Sequence, residues 1–182
     1  MSDVYTRLRE HLDSLPSGFP STESGVELRI LKRLFTPDEA ELALNLTMKL
    51  ESAAAIAERA GLSQEEADSR LRQLSREGLI FSIETPDREP RYMAAQFLIG
   101  IWEYHVNDLD PQFVRDMDEY LPYLSQEAFG RVPQLRTIPV GKSVSATLKV
   151  LPYEKAEEIV RQQSNFLSAP PNEVIGRVLT IQ

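Results

Sequence analysis

Four polar side chains in one region of the sequence are suited to binding the phosphates and base edges of duplex DNA: Ser69, Arg72, Arg76 and Arg88. The first three fall on one predicted helix at spacings of three and four residues, so they share a face of that helix. Arginine can bind phosphate oxygens and guanine edges through two parallel hydrogen bonds, and serine hydroxyls also reach phosphates. These residues form the candidate DNA-binding set.

The charges around this set argue against that chemistry. The chain has a net charge of −8 and a pI near 4.9, whereas DNA-binding domains concentrate positive charge. Within residues 63–77, three arginines stand against four acidic residues: Glu65, Glu66, Asp68 and Glu77. Glu65 and Asp68 fall near the start of the helix, where base edges would be met. DNA binding therefore stays the alternative, and use of the same helices as a scaffold for protein contacts is favoured.

The sequence offers little support for a catalytic, metal-binding or cofactor-binding site. The chain has no cysteine, which excludes thiolate zinc sites, cysteine nucleophiles and cysteine-ligated iron–sulfur clusters within it. Its two histidines are too few for an all-histidine metal site; we expect His11 on a solvated helix face and His105 at a helix end. Residues 141–143 read Gly-Lys-Ser, but Arg136 stands where a phosphate-binding loop needs its first glycine. We therefore expect no catalytic, metal or cofactor residues.

The second half of the chain contains a set of aromatic residues that is the largest group of apolar side chains in the sequence: Phe97, Trp102, Tyr104, Phe113, Tyr120 and Tyr123. Most of these rings are expected to form the core between the helix pair and the C-terminal region. Any ring that stays exposed would form a docking surface rather than a cofactor site. The candidate protein-interaction residues are Phe97, Trp102, Tyr104, Tyr120 and Tyr123.

The elements that position these side chains follow from hydrophobic spacing and capping residues. Helices are predicted over residues 3–15, 26–35, 37–46, 53–60, 63–77, 111–120 and 153–164. Gly61 is expected in the left-handed conformation between two of them, and residues 63–66 form a capping box. Strands are predicted over residues 79–83 and 91–94, joined by a polar wing, with further extended pieces at 136–140 and 148–151.

A helix, a turn with glycine, a second helix and a β-hairpin form the order of a winged helix-turn-helix. The predicted fold class is mainly α with a small β-hairpin, a winged helix-turn-helix flanked by additional helices. The expected segments are an N-terminal helix and loop (1–25), the winged helix-turn-helix (26–95), a helical C-terminal region with short extended pieces (96–168) and a tail (169–182). Without a long apolar stretch or a signal segment, a cytoplasmic location away from membranes is expected.

Six motifs occur in a fixed order: Gly-Phe-Pro-x-Thr-x-Ser-Gly at 18–25, Leu-Phe-Thr-Pro-Asp-Glu-Ala at 34–40, Gly-Leu-Ile at 78–80, Phe-Leu-Ile-Gly-Ile-Trp-Glu at 97–103, Arg-Thr-Ile-Pro-Val-x-Lys-Ser-Val at 136–144 and Val-Leu-Pro-Tyr-Glu-x-Ala at 150–156. In this order the chain resembles, over about residues 4–170, the N-terminal part of a family of bacterial and archaeal 4Fe–4S ferredoxin-domain proteins. The resemblance implies electron transfer or another redox role for full-length relatives, whose cysteines hold 4Fe–4S clusters.

The resemblance also implies what this chain lacks. In the family a Cys-x-Cys-Arg motif follows the Tyr-Glu-x-Ala helix, but residues 168–173 here read Ser-Ala-Pro-Pro-Asn-Glu, so no cofactor is expected in this chain. The chain is expected to be either the upstream fragment of a cluster-binding protein or a stand-alone version that kept the docking domain. We expect a non-enzymatic protein-interaction module that positions a redox protein or a C-terminal iron–sulfur domain. A homo-oligomer is also expected, because a docking surface without its partner can self-associate.

Overall fold

The structure is a computed structural model that describes residues 3–85, 87–128, 155, 157, 158, 161 and 162. The chain divides into two compact units, residues 1–134 and 135–182. In the second unit, residues 155, 157, 158 and 161 are helical, within the predicted helix 153–164. The extended pieces predicted at 136–140 and 148–151, and the tail, lie outside the described residues. Within the described part of the chain, no helix is both long and apolar enough to cross a membrane.

Three helices open the first unit: α1 (Val4–Ser14), α2 (Val26–Leu34) and α3 (Pro37–Ala43). The start of α3 is fixed by a capping box in which the Thr36 hydroxyl accepts from the Glu39 amide and the Glu39 carboxylate accepts from the Thr36 amide at 2.7 Å. The helix ends three residues before its predicted end, and the chain then turns so that Leu46 is buried in the core.

The next two helices, α4 (Ala53–Ala60) and α5 (Gln64–Arg76), lie on either side of a turn at Gly61. Gly61 has φ +67°, the left-handed conformation predicted for the end of α4. Ser63 caps α5 by accepting from the Glu66 amide at 3.2 Å. The predicted capping box is only half formed, because the Glu66 carboxylate binds Arg70 at 2.6 Å instead of returning to the cap.

A small antiparallel sheet has the strand order β1–β3–β2, with β1 (Glu51–Ser52), β2 (Ile80–Thr85) and β3 (Arg88–Ala94). β2 and β3 form the predicted hairpin, but their pairing extends to Thr85 and Arg88. The wing is therefore a short connection rather than a polar loop over residues 84–90. The prediction missed β1, because two residues are too short for an alternating pattern.

The rest of the first unit is helical. A π-helical turn (Phe97–Ile101) continues into α6 (Trp102–Tyr104), and α7 (Pro111–Tyr123) continues into a second π-helical turn (Leu124–Ala128). Asp110 caps α7 as predicted, accepting from two backbone amides at 2.8 and 2.9 Å. α7 continues through Pro122 without ending there. Because proline has no backbone N–H, one hydrogen bond of the helix is missing just ahead of the π-helical turn.

In the core, the loop between α1 and α2 packs against α7. The Phe19 ring lies 4.6 Å from the Phe97 ring and 4.9 Å from the Tyr120 ring, measured between centroids. The Tyr120 hydroxyl donates to the Pro20 carbonyl at 2.8 Å. The first unit is thus mainly helical with a small antiparallel sheet, which confirms the coarse fold prediction and places residues 96–128 in the same unit as the hairpin.

Candidate functional site

Arg72, the central candidate for DNA contact, is held by carboxylates of its own chain. Its Nε donates to Asp68 at 2.8 Å, and its Nη1 donates to Glu84 on β2 at 2.9 Å. The Tyr92 hydroxyl from β3 donates to the other Asp68 oxygen at 2.8 Å. These four side chains form one network that joins α5 to the hairpin.

The groups of this network stabilise one another's charge states. Burial alone would raise the pKa of Asp68, but hydrogen bonds from Arg72 and Tyr92 outweigh it and lower that pKa below its usual value. Burial, together with the bond to Asp68, raises the pKa of Tyr92 well above its usual range. Asp68 therefore stays ionised and Tyr92 stays a donor at neutral pH. A DNA phosphate would have to compete with two carboxylates for Arg72.

The other three DNA-contact candidates, Ser69, Arg76 and Arg88, are exposed. Within the described residues, neither Arg76 nor Arg88 has a carboxylate oxygen within 4.0 Å. Arg76 nevertheless lines a groove together with the acidic residues Glu77 and Asp108. The four candidates therefore do not combine into one positive surface.

The candidate protein-contact residues separate into core and surface positions. Phe97 and Tyr120 are 1% and 0% exposed, so they cannot touch a partner from where they lie. Both rings are removed from solvent because they pack around Phe19. This corrects their predicted place on a contact surface and makes them residues of the core that supports it.

The remaining three candidates reach the surface to different extents. Trp102 is half-buried, and its ring meets Phe113 edge-on at a centroid distance of 5.4 Å. Tyr104 is 57% exposed and Tyr123 is 41% exposed. Tyr104 and Tyr123 are thus the aromatic candidates most available to a partner.

The two faces of the hairpin differ in their surroundings. On one face, the hydroxyl oxygen of Ser82 in β2 lies 2.7 Å from that of Ser75 in α5. Tyr92, the cross-strand neighbour of Ser82, also points toward α5. Successive residues of a strand point to opposite faces. Phe81 and Ile83, on either side of Ser82, therefore lie on the face away from α5.

On this outer face, apolar side chains and a cation lie side by side. Phe81 pairs with Met93 and Ile83 pairs with Arg91 across the two strands. Tyr104 from α6 lies against Phe81 with 6.2 Å between ring centroids. Ile83 is 52% exposed. We call these five residues the outer-face patch.

Sequence reasoning identified Tyr104 and missed the rest of the patch. Residues 79–83 form a nearly continuous apolar run, which does not reveal which side chains face α5. The available signal was the alternation of Ser82 with Ile83 and of Tyr92 with Arg91. Only the cross-strand register shows that Ile83 and Arg91 share the face away from α5.

Gly78 allows Tyr104 to approach the start of β2. Its φ is +75°, and a Cβ atom added there would overlap the Cβ and ring atoms of Tyr104. The glycine that ends α5 therefore also makes room for Tyr104, which is more exposed than Ile83.

The two histidines do not form a site. His11 was expected on a solvated face, but it is half-buried and its Nε2 is enclosed without a hydrogen-bond partner. It borders a small apolar cavity with Phe35, Leu46 and other aliphatic side chains, and burial lowers its pKa. His105 ends α6 as predicted, with Nδ1 at 2.7 Å from the Ile101 carbonyl oxygen.

The described residues offer no candidate metal site. No group of three histidine, cysteine, aspartate or glutamate side chains there could bind a metal ion. The full sequence has no cysteine, so its residues do not fit the cysteine-ligated 4Fe–4S clusters expected from the sequence resemblance. Comparison with family models, curated proteins and solved structures found no match.

Proposed function

We propose that this chain is a non-enzymatic protein-interaction module that docks its partner on the outer-face patch. The observation that carries this proposal is the exposure of Ile83 and Tyr104, 52% and 57%, side by side with Phe81 and Met93. A contiguous apolar patch on a folded surface is typical of a binding site. The patch is carried by a paired hairpin, so its shape is set before a partner arrives.

The segment from α4 to β3 is proposed to be a winged helix-turn-helix that serves as a scaffold. The order of α4, the Gly61 turn, α5 and the hairpin supports this assignment. The network around Arg72 fastens the hairpin to α5. In such a fold α5 would be the helix that contacts DNA. Its central arginine, Arg72, instead binds carboxylates of its own chain.

The proposed partner is a redox protein or an iron–sulfur domain of the ferredoxin type. The ordered motifs that resemble the N-terminal part of 4Fe–4S ferredoxin-domain proteins support this choice. In this proposal the chain supplies a contact surface, and the partner supplies the cysteines that hold clusters. Electron transfer belongs to the partner.

A nuclear magnetic resonance titration tests the docking role. The ¹⁵N-labelled chain is mixed with a purified ferredoxin that holds two 4Fe–4S clusters, and amide shifts are followed. We expect saturable shifts concentrated in β2, β3 and α6. The Ile83→Glu variant should abolish them, because a carboxylate replaces an exposed apolar side chain at the centre of the patch.

The matched control is Val114→Glu, which places the same charge on a similarly exposed apolar residue of α7, 38% exposed. That variant should bind as the parent chain does. Shifts that are absent, or that survive Ile83→Glu, would overturn docking of this partner at the patch.

DNA binding remains the second candidate, favoured by the exposed Arg76 and Arg88, which have no carboxylate partner among the described residues. A labelled duplex of mixed sequence distinguishes it from protein docking. DNA binding requires affinity that falls steeply with salt and is lost in Arg72→Ala and Arg76→Ala. We expect no saturable binding, because Arg72 is bound to Asp68 and Glu84.

A further inference from the structure

We propose that the outer-face patch recognises an acidic protein surface, one whose apolar residues are bordered by carboxylates. This inference rests on the proposed docking function and specifies the chemistry of the partner. It starts from Arg88 and Arg91 of β3, both of which are exposed. Within residues 3–85 and 87–128, neither guanidinium has a carboxylate oxygen within 4.0 Å.

Most other arginines within residues 3–85 and 87–128 bind a carboxylate of the chain; Arg76 and Arg115 do not. The pairs are Arg7–Glu41, Arg9–Glu10, Arg29–Asp116, Arg33–Asp110, Arg59–Glu51, Arg70–Glu66 and Arg72–Asp68. An arginine that already binds its own carboxylate must give up that contact to bind another. A free guanidinium can form two parallel hydrogen bonds to a partner carboxylate without this loss.

One of the two arginines of β3, Arg91, lies within the patch itself. Arg91 is the cross-strand neighbour of Ile83, so the guanidinium and the exposed aliphatic side chain share one face. One acidic residue of the hairpin, Glu84, is directed to the α5 side instead, where it binds Arg72. Glu89 lines a groove with Asp68.

This arrangement matches the usual organisation of a protein interface, in which polar residues surround an apolar centre. Ile83 and Tyr104 form an apolar centre, and Arg91 forms part of a charged rim. A complementary partner presents apolar side chains to the centre and carboxylates to the rim. Aromatic rings beside arginines also suit single-stranded RNA, but Ile83 offers no stacking surface for a base.

Three synthetic peptides of equal length test the charge requirement on the full chain. They share the same leucine positions and differ in the polar positions, which are all glutamate, all glutamine or all lysine; oligouridine is the fourth probe. Binding is followed by amide shifts of the ¹⁵N-labelled chain. We expect the glutamate peptide to shift β2, β3 and α6, with the glutamine peptide about tenfold weaker and no binding by the other two.

Charge reversal on the protein completes the test. Arg91→Glu should weaken the glutamate peptide by about tenfold, and added salt should weaken it as well. Arg115→Glu makes the same charge change at an exposed arginine of α7 and should leave binding unchanged. Equal affinity for the glutamate and glutamine peptides overturns the inference and leaves docking at the patch intact. Preference for lysine or oligouridine overturns it too, and binding by no probe counts against both proposals.

Discussion

Arg72 and Asp68, one turn apart on α5, are joined by a 2.8 Å bond from Nε to a carboxylate oxygen. The same guanidinium reaches Glu84 on β2. A side chain that the sequence offered as a candidate DNA contact thus fastens the hairpin to the helix. The outer face of the hairpin carries the exposed Ile83, and this difference between its two faces is the basis of the proposed function.

The bond from Tyr92 to Asp68 is expected to stabilise this arrangement. The Tyr92→Phe variant keeps the buried ring and removes the hydroxyl donor at 2.8 Å. We expect the free energy of unfolding, measured by urea denaturation, to fall by about 1 kcal/mol. Tyr104→Phe, at an exposed ring, should cost much less. Equal losses in the two variants would show that the Asp68 contact adds no stability.

His11 makes the stability of the chain depend on pH. Burial lowers its pKa, so the folded state favours the neutral imidazole. Above the usual histidine value of about 6.5 this contribution is fully present. As the pH falls through that value, the unfolded chain binds a proton more readily and stability is lost.

The His11→Leu variant isolates this effect. The free energy of unfolding, measured in urea from about pH 7.5 to about pH 5, should fall less steeply in the variant than in the parent chain. Identical slopes would mean that His11 does not titrate differently in the folded and unfolded chains.

Alanine substitutions at Gly61 and Gly78 distinguish the cost of backbone strain from the cost of steric crowding. Both have positive φ, +75° and +67°, but only at Gly78 would a Cβ atom meet another residue, Tyr104. We expect Gly61→Ala to cost about 1 kcal/mol and Gly78→Ala about 2 kcal/mol or more. Denaturation curves of the two variants compare them directly. A smaller cost at Gly78 would contradict the close approach of Tyr104.

Asp116 is expected to hold α7 against α2. It is 6% exposed and accepts hydrogen bonds from Arg29 and Gln112 at 3.0 to 3.3 Å. Asp116→Ala should lower the free energy of unfolding by about 2 kcal/mol, because Arg29 loses a buried acceptor. Asp118→Ala, at an exposed site on the same helix, is the control and should change little. Similar losses in both would assign no special role to the Arg29 contact.

Without a partner, the outer-face patch should cause weak self-association. Sedimentation equilibrium should show a mass that rises with concentration and returns to the monomer value in Ile83→Glu. A symmetric contact brings the two copies of Arg91 near each other, so added salt should strengthen it by screening. A strict monomer at high concentration would count against an exposed docking surface.

Local chemistry determined most of the helical elements. Thr36 and Ser63 cap their helices where the sequence predicted, because caps act between residues only a few positions apart. The left-handed turn at Gly61 follows from the freedom of glycine at positive φ. These features need no knowledge of distant parts of the chain.

The tertiary structure alone decided which side chains are available to a partner. Phe97 and Tyr104 are both aromatic residues of one segment, yet one lies in the core beside Phe19 and the other lies on the surface. The exposure of Ile83 depends on a cross-strand register, and the pairing of Arg72 depends on Glu84 twelve residues away. Such contacts arise from packing between elements, and for this reason the sequence determined the helices of this protein while its folding determined the site.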